Sequence, residues 1–106
     1  MEKVHLIADF ERLAEENDRF FFFKHSSTCP VSAQAFEAYN AFLEEHPEEK
    51  GYYLTVQESR DLSNYIAAQY EVIHQSPQAF LFENGQPSWH ESHWKITKDG
   101  LADLSS

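Results

Sequence analysis

"RFFFFKHSSTCPVS", residues 19 to 32, decides the fold of this 106-residue chain. Its first part, Arg19 to Lys24, is a short unbroken aromatic run. Such a run reads as a strand covered on both faces. "HSST" leaves that strand as a loop. Pro30 then suits the first position of a helix, where its missing N–H would have no intrahelical partner. Cys29, the only cysteine, becomes the cap residue of that helix.

The remaining elements follow from pattern and punctuation. Asp9 is expected to cap a short helix with Phe10, Leu13 and Ala14 on its apolar face. The helix after Cys29 extends to about Glu45, with Phe36, Tyr39 and Leu43 on one side, and Pro47 and Gly51 end it. "GYYLTVQ" (51–57) is a second strand, rich in aromatic and β-branched residues. Ser59 or Asp61 starts a helix carrying Leu62, Tyr65, Ile66 and Gln69. "HQSP" (74–77) is a loop. "QAFLFE" (78–83), Asn84-Gly85 and "QPSWHES" (86–92) form a hairpin around a strong turn signal. Thr97 caps a last helix with Leu101 and Leu104. The order implies a single α/β domain over 1–106, with a mixed four-stranded sheet and helices on both faces. This is the thioredoxin-like pattern (β-α-β-α-β-β-α core). Other small α/β domains share it, so the motifs must decide.

Composition narrows the function. A 42% hydrophobic and 15% aromatic chain can bury a real core. The net charge of −10, from 18 acidic and 8 basic residues, argues against nucleic acid and against anionic membrane surfaces. "EEHPEE" (44–49) reads as a solvated face. The charged N-terminal stretch does not resemble a secretory signal, and the longest apolar run, Phe20 to Phe23, is far short of a membrane span. A cytoplasmic protein is expected. One cysteine excludes an intramolecular disulfide and a multi-cysteine zinc site, so any disulfide chemistry involves a second molecule.

The thiolate is the nucleophilic form of cysteine, and a free thiol titrates near ~8.5. A helix N-terminus offers unpaired N–H groups and partial positive charge, which favour the thiolate. Lys24 and His25 are candidate sources of further positive charge. Free cysteine is also among the most buried residue types, so an inert core thiol is the competing reading. The spacing is C-x-x-S. Ser32 stands where a resolving cysteine would be and can only hydrogen-bond to the thiolate. A monothiol mechanism follows: Cys29 attacks a mixed disulfide, takes up a small thiol, and is released by another thiol. Ser76-Pro77 precedes the strand 78–83. Only ~5–6% of X-Pro bonds in folded proteins are cis. In thioredoxin-like folds, however, a cis proline at this point faces the active cysteine, and the residue before it pairs with substrate through its backbone.

"KHSSTCPVS" (24–32), "HQSPQAFLFENG" (74–85) and "WHESHWKIT" (89–97) together resemble the YtxJ-type monothiol bacilliredoxins. These are thioredoxin-like proteins of bacteria that use bacillithiol, a cysteine–glucosamine–malate thiol. The resemblance implies that Cys29 is the redox-active residue and Pro77 the cis proline. It implies removal of bacillithiol from S-bacillithiolated proteins through a Cys29–bacillithiol disulfide, with bacillithiol as thiol co-substrate. Regeneration would come from free bacillithiol, or from a dithiol redoxin working with a flavin reductase. Thr28, Pro30, Ser76, Pro77 and His93 are the candidate substrate contacts, with Ser92, His93 and backbone N–H groups near Thr97 facing the malate carboxylates. His93 and Trp94 read equally well as packing residues.

Bacillithiol and this chain are both anionic, so binding needs a local positive region. Lys24, His25, His93, Lys95 and Lys98 are the available sources. Other readings compete. His90 and His93 as metal ligands would face opposite sides of a strand. An iron–sulfur carrier would carry C-G-F-S, where this chain has Pro30-Val31. A non-catalytic thioredoxin-like binding module would bury Cys29.

Overall fold

The computed structural model describes residues 1–105. In chain order the elements are β1 (Glu2–Lys3), α1 (Ile7–Glu16), β2 (Arg19–His25), α2 (Pro30–Glu45), β3 (Gly51–Thr55), α3 (Arg60–Tyr70), β4 (Gln78–Glu83), β5 (Gln86–Ser92), a 3₁₀ turn (His93–Lys95) and α4 (Lys98–Ser105). The sheet has five strands in the order β1-β3-β2-β4-β5. β3 runs parallel to β1 and β2, and β4 is antiparallel to both β2 and β5.

The fifth strand corrects the expected four. Glu2 and Lys3 pair with Tyr52 and Tyr53 at the sheet edge. A strand this short, exposed and charged carries no period-2 apolar signal. Two helix details also differ. α1 starts at Ile7 with Leu6 as its cap residue, and Asp9 lies in the first turn, where it accepts from Arg12 at 2.7 Å. The buried face of α2 centres on Ala35, Tyr39 and Phe42, while Phe36 and Leu43 sit half-buried at its margins. Gln69 is exposed, leaving Leu62 and Ile66 as the inner residues of α3.

The aromatic run explains the architecture. β2 is the central strand, so Phe20 to Phe23 are all buried. Strand alternation divides them between two cores. Phe20 and Phe22 pack with Phe10, Leu62, Ile66, Phe80 and Phe82 on the α1/α3 face. Phe21 and Phe23 pack with Ala35, Tyr39, Phe42, Leu81 and Leu101 on the α2/α4 face. Each buried phenylalanine contributes about 1.5–3 kcal/mol. One strand therefore anchors both helix layers. The β4–β5 turn places Asn84 at φ 53° and Gly85 at φ 81°, the left-handed pair that a two-residue hairpin requires.

Candidate active site

The strand directions bring four connections to one end of the sheet. β2 and β3 both finish there, at His25 and Thr55. β4 starts there, since Gln78 pairs with Lys24, and β5 ends there, since Ser92 pairs with Gln78. The Cys29 loop and the Ser76–Pro77 turn are consequently neighbours of one sheet end.

Cys29 is the cap residue of α2, half-buried, with Pro30 in the first helical turn. Its carbonyl accepts from Ala33 N–H at 3.1 Å, and its own N–H points to Ser26 O at 3.4 Å. The thiol makes no capping hydrogen bond, so the first-turn N–H groups of α2 are not covered by it. Pro30 and Thr28 are exposed.

Ser32 is fully buried at the place of a second cysteine. Its Oγ accepts from Ser26 N–H at 2.9 Å and lies 2.8 Å from His25 Nδ1. The hydrogen bonds of this hydroxyl thus go to the end of β2 and the start of the Cys29 loop, whereas the C-x-x-S spacing predicts a bond to the thiolate. His25 stacks on Phe36 with ring centroids 4.3 Å apart. Burial, and next the charge of Lys3, push its pKa below the usual histidine value. His25 is therefore neutral at pH 7 and gives the site a ring dipole instead of the expected positive charge.

Lys24 is also placed differently from expectation. Alternation along β2 puts it on the α3 face with Phe20 and Phe22. His25 is on the α2 face. Lys24 is fully buried, and Nζ donates to Ser63 O at 3.0 Å and contacts His74 Nδ1 at 3.2 Å. Burial lowers its pKa from 10.5 to about 8.

Ser76–Pro77 is a cis peptide bond, with Ser76 half-buried and Pro77 buried. Pro77 O accepts from His93 N–H at 3.1 Å, which ties the 3₁₀ turn to this segment. The same 3₁₀ turn packs against α2. His93 is half-buried at φ 55°, a left-handed conformation that costs a non-glycine residue roughly 1–2 kcal/mol. Thr97 caps α4 as expected, and its Oγ1 accepts from Gly100 N–H at 3.0 Å. That N–H is not available to a ligand.

Two glutamines escaped the sequence reading. Gln57 accepts from Ser27 N–H at 3.1 Å and donates to Ser26 Oγ at 3.0 Å and Thr28 Oγ1 at 3.4 Å. It clamps the loop before Cys29 from the end of β3. Gln78 is buried, accepts from Gln75 N–H at 3.3 Å and donates to Ile73 O at 3.2 Å. It clamps the segment before Pro77. Only burial or tertiary proximity distinguishes either from a surface glutamine.

The family model described as Monothiol bacilliredoxin BrxC matches residues 2–101. This chain belongs to the monothiol bacilliredoxin family. Bacilliredoxins are thiol–disulfide oxidoreductases, and removal of bacillithiol from S-bacillithiolated proteins is the family function. A solved structure described as "A putative oxidoreductase with a thioredoxin fold" is 47% identical, with a TM-score of 0.92 over 98% of this chain and 92% of its own. The thioredoxin of Fasciola hepatica is 20% identical with a TM-score of 0.78, over 98% and 95% of the two chains. Mitochondrial thioredoxin 3 of Saccharomyces cerevisiae is 19% identical with a TM-score of 0.78, over 98% and 92%. These two thioredoxins share the fold with this bacilliredoxin. Among the described residues, no helix is long and apolar enough to cross a membrane.

Proposed function

We propose that this single thioredoxin-like domain works in the cytoplasm as a de-bacillithiolase, with Cys29 as its nucleophile. One observation carries the reading: the only cysteine of the chain caps α2 half-buried, and the last position of C-x-x-S holds a buried serine committed to the loop. Such a site starts exchange and cannot resolve it internally. The Cys29 thiolate attacks the bacillithiol sulfur of the mixed disulfide. A Cys29–bacillithiol disulfide forms, the original S–S bond breaks, and the substrate thiolate leaves and takes up a proton. Free bacillithiol then attacks the bacillithiol sulfur of that adduct and returns the Cys29 thiolate, with bacillithiol disulfide as product. A dithiol redoxin recharged by a flavin reductase would achieve the same release by supplying both electrons.

Thr28, Pro30, Ser76 and Pro77 flank the reacting sulfur in this reading, with His93 on the side of the small thiol's polar end. The test is mass detection of the adduct after exposure to an S-bacillithiolated protein. Wild type is expected to gain one bacillithiol, removable by added thiol, and Cys29→Ala to form no adduct and release no substrate thiol. Full activity in Cys29→Ala would end the proposal.

A further inference from the structure

A fully buried lysine is unusual, and Lys24 has no carboxylate partner among the described residues. Its neighbours are Ser63 O, His74 Nδ1 and the face of Phe80, whose centroid lies 5.8 Å from Nζ. An ammonium has three protons and no lone pair. Ser63 O and His74 Nδ1 lie within hydrogen-bond reach of those protons, and the Phe80 ring offers only a longer-range cation–π attraction. His74 must then accept at Nδ1 and carry its own proton on Nε2. Ser63 Oγ lies 3.2 Å from the same Nδ1 and holds the ring from the α3 side.

His74 precedes Ser76–Pro77 in the same connection. Lys24 also pairs with Gln78 across β2 and β4, and the Gln78 side chain grips Ile73 O and Gln75 N–H. Two neighbouring buried side chains thus hold one short surface segment from inside the core. A methionine of similar length at position 24 would remove the desolvation cost of the ammonium and should not weaken the fold. Stability therefore gives no reason for a lysine here.

We propose that Lys24 is a positioning residue for exchange with protein substrates: through His74 it fixes the segment Gln75–Pro77 against which the substrate chain aligns. The proposal rests on the exchange reading of the site. It carries a pH signature. The charged groups acting on His74 are Lys24 from β2 and Arg60 from α3. Burial first, then Lys24 and Arg60, hold the His74 pKa below its usual value. Once protonated, His74 would point Nδ1–H at the Lys24 ammonium, and the tether would break.

The experiment compares wild type, Lys24→Met and His74→Asn. The readouts are iodoacetamide alkylation of Cys29, thermal stability, and steady-state kinetics on an S-bacillithiolated protein. Lys24→Met is expected to melt no lower than wild type and to alkylate within about twofold of it, while its KM rises about tenfold, the effect of one lost charged hydrogen bond. His74→Asn keeps an acceptor oxygen near the Nδ1 position. Wild type is expected to show a rise in KM on acidification, and His74→Asn to match the wild-type KM at pH 7 and to lack that rise. A wild-type KM in Lys24→Met overturns the proposal, as does an unchanged acid limb in His74→Asn. Should no protein, wild type included, release bacillithiol from the substrate, the exchange reading has failed. Amide exchange then decides positioning: faster exchange at Gln75 and Ser76 in Lys24→Met sustains it, and unchanged exchange overturns it. If Lys24→Met does not fold, His74→Leu replaces it in every arm.

Discussion

Ser32 shows how a motif can be read correctly for spacing and differently for contact. The C-x-x-S pattern places it one turn after Cys29, and a bond to the thiolate is the simplest use of its hydroxyl. In the fold it instead satisfies Ser26 N–H and meets His25. Ser32→Ala therefore removes the acceptor of a buried backbone donor, at a cost of about 1–3 kcal/mol. Urea unfolding should show that loss, and exchange should weaken without disappearing, because the Cys29 loop is loosened while the nucleophile remains. Unaltered stability in Ser32→Ala would mean that Ser26 N–H finds another partner. No sequence pattern separates these two uses of one hydroxyl, since both need the same residue at the same place.

At the scale of elements, the strands were legible because β2 and β4 are apolar runs and the Asn84-Gly85 turn fixes the hairpin of β4 and β5. β1 was not, because two charged residues joined to an edge make no pattern. Lys24 lies between these cases. Period-2 alternation already assigns it to the face of Phe20 and Phe22, away from His25, yet a lysine beside a reactive cysteine invites the opposite placement. Packing β2 against α3 has a measurable consequence. Unfolded, Lys24 keeps its proton to about pH 10.4; folded, burial lets it go at about 8. Between those values the unfolded chain binds more protons, so this contribution to stability rises with pH. Buried Tyr39, its pKa raised by desolvation, acts in the opposite sense only above about pH 10. Wild type should gain about 2 kcal/mol over Lys24→Met between pH 7.5 and 9.5 in urea titrations. Parallel profiles would mean that the amine reaches water in the folded state.

For the whole molecule the question is how a protein of charge −10 meets an anionic thiol. The five candidate cations do not survive equally. Lys24 is buried and faces α3, His25 is neutral, and Lys98 pairs with Glu45 at 2.6 Å. Lys95 remains, in the 3₁₀ turn that packs against α2, exposed and with no ion pair among the described residues. Charges act over about 30 Å at 0.01 M salt and about 8 Å at 0.15 M. The molecule measures 31 × 30 × 22 Å, so at low salt an approaching ligand feels its whole negative charge. At physiological salt it feels only nearby groups. Adduct formation with bacillithiol disulfide should therefore accelerate several-fold over that range of salt. A neutral disulfide such as hydroxyethyl disulfide should show no such change. At 0.15 M, Lys95→Glu should slow the bacillithiol reaction and leave the neutral one alone. A rate that falls with salt in wild type would show that the 3₁₀ turn outweighs the whole acidic surface, and the ligand would then be steered to the site instead of merely tolerated there.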